Sequence, residues 1–176
     1  MEPTQQPTDM LMAELTGLLS DNGIGLTLLT PRPRGRRLEP HIREQLQRVL
    51  AELESSLPVP SDLVYGNGFF AVGRFVDAAA VYQCILETSP DDSGARFNLG
   101  LAFLRQGRHR EAVNELTFLL ELDPQLAEAH YQRGNANDDL GDHELALADY
   151  ARAIDLRPDY LQAFYNRGVV LARLGR

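Results

Sequence analysis

The chain has no lysine and no tryptophan, and only one cysteine in 176 residues. With Cys84 alone an internal disulfide is excluded, and a reducing cytoplasm is the expected location. No run approaches the roughly 18 apolar residues that a membrane-spanning helix needs, so membrane insertion is not expected. The opening MEPTQQPTDMLMAELTGLL lacks the basic start and long apolar core of a secretory signal. Every base is arginine, and acids outnumber bases 25 to 17, for a formal net charge of -8. Residues 1–30 carry four acids and no base, 31–58 six Arg against four Glu, and 59–176 eleven Arg against seventeen acids. Phosphate binding wants a basic face, so nucleic acid is not an expected partner.

Chemistry-bearing constellations are also scarce. The four histidines are His41, His109, His130 and His143, and two of them, His109 and His143, fall in the same periodic position as Phe75. A position that accepts Phe or His reads as a packing slot, and no ligand cluster at metal spacing accompanies it. No spacing joins a nucleophile to a base, and the glycines do not form a strand-to-helix phosphate loop. The expectation is a protein that is not an enzyme and needs no cofactor or metal.

What is present is repetition. Pro90, Pro124 and Pro158 recur at one constant interval. The same interval separates Gly66, Gly100, Gly134 and Gly168, then Gly73, Gly107, Gly141 and Gly175, and Ala78, Ala112 and Ala146. Each unit reads as a first helix, a tight turn near the second glycine column, a second helix and a proline stop. The first glycine column falls mid-helix, where Gly costs about 1 kcal/mol relative to Ala. Close approach of the two helices is the expected compensation, with the alanine column as the facing surface. Arg133 is expected to pair with Asp149. Asn137 replaces Phe69, Phe103 and Leu171 of the other units, so it must either bond a neighbouring helix or leave its repeat loose. Asp138, Asp139 and Asp142 read as a solvated acidic face rather than a cation site.

A period of 34 with this punctuation resembles the tetratricopeptide repeat (TPR) family. The resemblance covers 118 of the 176 residues, as units 59–92, 93–126, 127–160 and a partial unit 161–176. It implies an all-α helical-hairpin solenoid in which the first helix of each unit lines a groove that takes an extended peptide or a partner helix. Carried onto this chain, the lining columns are Leu63, Phe97, Tyr131 and Tyr165; Val64, Asn98, Gln132 and Asn166; and Asn67, Leu101, Asn135 and Val169. Amides that donate and accept alternate there with apolar and aromatic groups, which suits a held backbone with side chains in pockets. The relatives that clamp a C-terminal carboxylate use Lys and Arg beside two Asn. This chain keeps Asn67 and Asn98 but has Leu63, Glu128 and Gln132 at the basic positions, so carboxylate clamping is not expected. Residues 81–113 also resemble the first repeat junction of the class II chaperones of type III secretion, which would make the chain a cytoplasmic chaperone of translocator proteins. Adaptor, chaperone and self-associating scaffold are the functions the resemblance leaves open.

The leading segment, 1–58, carries no repeat. Residues 1–8 are expected to be disordered by their prolines. A short helix is expected from Asp9, its N-cap, with Met12, Leu15, Leu18 and Leu19 on one face. TPRPRGRRLEP reads as a linker, and its Arg32, Arg34, Arg36 and Arg37 as a solvated run. From His41 to Leu57, Ile42, Leu46, Val49, Leu50, Leu53 and Leu57 form an apolar stripe. It must be buried either on the first repeat as a cap or against a second copy; the terminal helix 161–176, with Val169, Val170, Leu171 and Leu174, offers another homodimer surface.

Overall fold

The periodic sequence becomes a run of helical hairpins. The computed structural model describes residues 5–25, 38–55 and 62–176, and the described residues form nine α-helices and no strand. The chain divides into two units, Met1–Ala102 and Phe103–Arg176. The first holds α1 (Gln5–Asp21), α2 (Pro40–Glu54), α3 (Leu63–Val72), α4 (Phe75–Thr88) and most of α5 (Ser93–Arg105). The second holds the end of α5 with α6 (His109–Leu122), α7 (Ala127–Leu140), α8 (His143–Leu156) and α9 (Leu161–Arg173). The first helices of the repeats are therefore α3, α5, α7 and α9.

In the first unit, α1 and α2 cover α3. Leu15, Leu19, Leu46, Val49, Leu50 and Leu53 are buried. A Cβ at Gly68 of α3 would lie 3.0 Å from Leu50 Cδ2 and 3.1 Å from Leu15 Cδ1. Arg43 Nη1 donates to the Val72 carbonyl at 3.0 Å, so α2 also satisfies an orphan acceptor at the end of α3. The apolar stripe of α2 is thus buried within its own chain, as a cap on the first repeat. Helix α1 already includes Gln5, ahead of the expected Asp9, and Thr8 is buried. Helix α2 ends at Glu54; Leu57 and the run Arg32, Arg34, Arg36 and Arg37 lie outside the described residues.

The turn glycines behave as the spacing predicts. Gly73, Gly107, Gly141 and Gly175 have φ of 90°, 74°, 86° and 70°. In each case the N–H of the following residue bonds back across the turn, from Arg74 to Phe69, Arg108 to Phe103, Asp142 to Asn137 and Arg176 to Leu171. This is the left-handed helix end that Gly adopts without a Cβ penalty.

The mid-helix glycines correct the sequence reading. A Cβ at Gly66 would come 2.4 Å from Tyr82 Cε1, and one at Gly134 2.8 Å from Tyr150 Cε1. The facing groups are these tyrosine rings of α4 and α8, not the alanine column, although Ala78, Ala112 and Ala146 are all buried. The absence of a side chain lets a full aromatic ring lie on the backbone of the preceding helix.

Candidate functional site

That close approach positions the polar chemistry of the first unit. With its ring seated on Gly66, Tyr82 donates its hydroxyl proton to Asn67 Oδ1 at 2.7 Å. Asn98 Nδ2, from α5, donates to the same oxygen at 2.9 Å. Asn98 Nδ2 can only donate, so the atom it meets on Asn67 is the oxygen, and the Asn67 amide nitrogen points the other way as a donor. It donates to the backbone carbonyl of Gly25 at 2.8 Å, and Ile24 beside it is buried. Asn67 and Asn98 are both 0% exposed. Burial raises the Tyr82 phenol well above its ordinary pKa, so it stays a proton donor at neutral pH. In this unit the amide pair therefore already holds a piece of main chain, supplied by the segment after α1.

The second unit repeats the arrangement two repeats further along. Tyr150, seated on Gly134, donates to Asn135 Oδ1 at 2.9 Å. Asn166 Nδ2, from α9, donates to Asn135 Oδ1 at 2.8 Å and to the Tyr131 hydroxyl at 3.2 Å. Burial, then the nearby Asp138 charge, raises the Tyr150 phenol above its usual range. Two differences separate the copies. Asn135 Nδ2 donates at 3.3 Å to Gln132 Oε1 on its own helix, where the first copy has Val64, which accepts nothing. The flanking apolar pair, Phe97 and Leu101 in the first copy, is 0% and 5% exposed, whereas its counterpart Tyr165 and Val169 is 65% and 40% exposed.

The predicted columns are thus brought together in alternate repeats. Asn67 joins Asn98, and Asn135 joins Tyr131, Gln132 and Asn166. Leu63 and Val64, both half-buried, precede the first cluster on α3, and Tyr165 stands in solvent. The second repeat has buried Leu101 and Leu116 where its neighbours have the Asn and the Tyr. Sequence reasoning along the first helices alone misses Tyr82, Tyr150 and Gly25. The signal that could have found the tyrosines is the alternation itself, Asn67/Leu101/Asn135 against Tyr82/Leu116/Tyr150.

The remaining polar groups of the second unit bond mainly to one another. Arg133 pairs with Asp149 as expected, through Nη2 at 2.7 Å and Nε at 3.0 Å, and its Nη1 reaches Thr117 Oγ1 at 3.2 Å. Asn137 Nδ2 donates to Asp149 Oδ2 at 3.2 Å, which resolves its alternatives in favour of a bond to the neighbouring helix. His130 Nδ1 lies 3.3 Å from Asp149 Oδ1. Burial pushes the Asp149 carboxyl up, but the hydrogen bonds from His130 and Arg133 outweigh it and leave the pKa below the ordinary carboxylate value. Asp138 is taken by Arg173 at 2.7 Å and by His143 Nδ1 at 2.9 Å. Among the described residues no three His, Cys, Asp or Glu side chains are grouped to hold a metal ion, and no helix is long and apolar enough to cross a membrane.

Known proteins share this architecture. A family model described as tetratricopeptide repeat matches residues 65–127, 98–160 and 131–176. No curated protein matches the chain. Among solved structures, a crystal structure of MamA is 29% identical, with a TM-score of 0.60, over 62% of this chain and 64% of that one. This chain therefore spans less than two thirds of that MamA chain. MamA from Desulfovibrio magneticus RS-1 aligns at a TM-score of 0.73 and 19% identity over 96% of this chain and 85% of its own, a likeness of fold. YrrB, described as a TPR protein with an unusual peptide-binding site, is 25% identical with a TM-score of 0.66 over 73% of this chain and 69% of its own.

Proposed function

Because the chain belongs to the tetratricopeptide repeat family, we propose that it works as a protein-interaction module whose first-helix columns hold an extended polypeptide, in an adaptor or chaperone role. The observation that carries this reading is the bond from the buried Asn67 amide to the Gly25 carbonyl, main chain on an amide of the predicted column. An amide fixed as a donor by two neighbours selects a carbonyl, which every peptide has, and leaves sequence preference to the apolar groups around it. The peptide-binding site described for YrrB is a precedent for this use of a related scaffold. We keep 59–92, 93–126, 127–160 and 161–176 as the repeats, with 1–58 as the leading segment, and Leu63, Val64, Asn67, Phe97, Asn98, Leu101, Tyr131, Gln132, Asn135, Tyr165 and Asn166 as the contact set. A short peptide held this way is expected to bind near micromolar, about -8 kcal/mol.

The test is selection of a random twelve-residue peptide library on the immobilised full chain, followed by titration of the selected peptides into isotopically labelled protein. Side-chain amide shifts at Asn67, Asn98, Asn135 and Asn166 are expected. A selection that yields no binder, or binders that move only α4, α6 and α8, removes the reading. A second reading, self-association, is favoured by the exposure of Leu161 at 75% and Phe164 at 47% on α9. A sedimentation coefficient that does not change with concentration would exclude it.

A further inference from the structure

Asn137 stands where the repeats before it place a buried ring. Phe69 and Phe103 are each 3% exposed, and Arg74 and Arg108, from the turn that follows, lie over them at 4.4 and 4.2 Å from the ring centroid. In the third repeat both members of this pair differ, with Asn137 for the ring and Asp142 for the arginine, and Arg133 stands at the position of the buried Leu99. No other side chain refills the space. A cavity of about 240 Å³ opens between α6, α7 and α8, with Val113, Leu145 and Ala148 as its apolar wall and Thr117, Arg133, Asn137 and Asp149 as its polar lining. None of these residues belongs to the first-helix columns.

The polar lining restricts what can enter. Arg133 and Asp149 are paired at 2.7 Å, so neither a carboxylate nor an amine meets an unmatched charge there. An ionised carboxylate only accepts, so Asn137 spends its nitrogen on Asp149 and keeps its oxygen as an acceptor, although the residue is only 4% exposed. Thr117 accepts from Arg133 Nη1 and keeps its own proton to donate. The cavity therefore suits a neutral group that donates and accepts at one end and is apolar over the rest. Its volume exceeds the about 150 Å³ that takes a benzene ring and falls below the about 300 Å³ at which pockets for drug-sized ligands begin, which is the size of one large side chain. A guanidinium in the lining favours an aromatic ring over an aliphatic group.

We propose that this cavity is a second binding site, separate from the groove columns, and that it takes the side chain of a tyrosine on a partner polypeptide. The ring supplies the aromatic volume that Phe69 and Phe103 supply in their own repeats, and its hydroxyl donates to Asn137 and accepts from Thr117. Leu145, 59% exposed, is the apolar surface that meets the main chain carrying the tyrosine.

The probe is the synthetic peptide acetyl-GAYAG-amide, titrated into the isotopically labelled full chain and read by amide shifts. Saturable shifts at Thr117, Asn137, Leu145 and Ala148 are expected, with a dissociation constant of roughly 0.1–3 mM for a single anchoring side chain. The same peptide with phenylalanine in place of tyrosine has no proton to give Asn137 and should bind at least fivefold more weakly. The phosphotyrosine peptide should not bind, because its charge meets Asp149. Free p-cresol, the same phenol without a main chain, should bind at least threefold more weakly than the tyrosine peptide. Asn137→Phe restores the ring of the earlier repeats and should remove binding, but it also takes a bond from Asp149 and can disturb the fold. Ala148→Leu therefore supplies the second test: it adds bulk to the wall at an exposed position, and should weaken binding at least tenfold while the melting temperature holds. Absence of saturable shifts at these residues up to about 10 mM overturns the proposal, and so does equal binding of the phenylalanine peptide or an affinity that Ala148→Leu leaves unmoved. Shifts confined to the first-helix columns overturn it while leaving the groove reading in place. Free p-cresol binding as tightly as the peptide overturns it too, since the cavity would then take a small phenol and not a partner chain.

Discussion

Gly66, Gly134 and Gly168 share one column of the repeat, yet the structure gives them different meanings. Gly66 and Gly134 lie under tyrosine rings, so Gly66→Ala and Gly134→Ala should each lower stability by about 1–3 kcal/mol through overpacking, and they should disturb the amide clusters that the rings serve. A Cβ at Gly168 meets nothing within 4 Å. Gly168→Ala should therefore raise stability by up to about 1 kcal/mol, the helix-propensity difference, and thermal melts of the three variants should separate in sign. Asp149 gives a pH prediction. Its folded pKa is depressed below the ordinary carboxylate value, so the stability it contributes is fully present above the unfolded value and is lost as the pH falls through the lower folded one. Urea midpoints should drop on acidification below roughly pH 4, and Asp149→Asn should flatten that drop. At neutral pH Asp149→Ala, which strands Arg133 and Asn137, should cost about 3–5 kcal/mol, the usual penalty for breaking a buried pair.

At the scale of the element, α2 is the clearest case. Its stripe could be read from the sequence as a face requiring burial, but not the partner: a second copy and the first repeat present the same kind of apolar surface. Gly68 decides it, because the gap it leaves on α3 is filled by Leu50 and Leu15 together. Leu50→Ala should cost about 2–5 kcal/mol, and hydrogen exchange should accelerate in α1 and α2 while the amides of α8 keep their protection. If α8 loosens equally, α2 is not a local cap. The start of α1 was hidden for a different reason. Proline reads as a breaker along most of a chain, yet Pro7 lies within α1. The turns, by contrast, were legible because positive φ and glycine are linked through one steric fact.

Across the whole molecule, the repeat period specified the hairpins, and the amide columns were visible as a pattern of residue types. What stayed hidden depends on contacts between distant segments: Gly25 lies 42 positions before Asn67, and no period connects them. Electrostatics at this scale predicts something simple. The chain is acidic and lysine-free, while the groups at both clusters are neutral amides and phenols, so polypeptide binding should change by less than about twofold between low and high salt, unlike a charge-steered encounter. A steep salt dependence would point instead to the arginines.

The helices recur with every repeat, but the Asn-Tyr-Asn cluster recurs with every second one, and each cluster borrows its last Asn from the repeat that follows. The architecture and the chemistry therefore have different unit cells. Deleting residues 93–126 would keep the turn glycines, the prolines and the helix spacing in phase, and would still put Gln132 in the place of the Asn98 that meets Asn67. That variant should lose the Asn98–Asn67 bond although every turn and helix keeps its spacing.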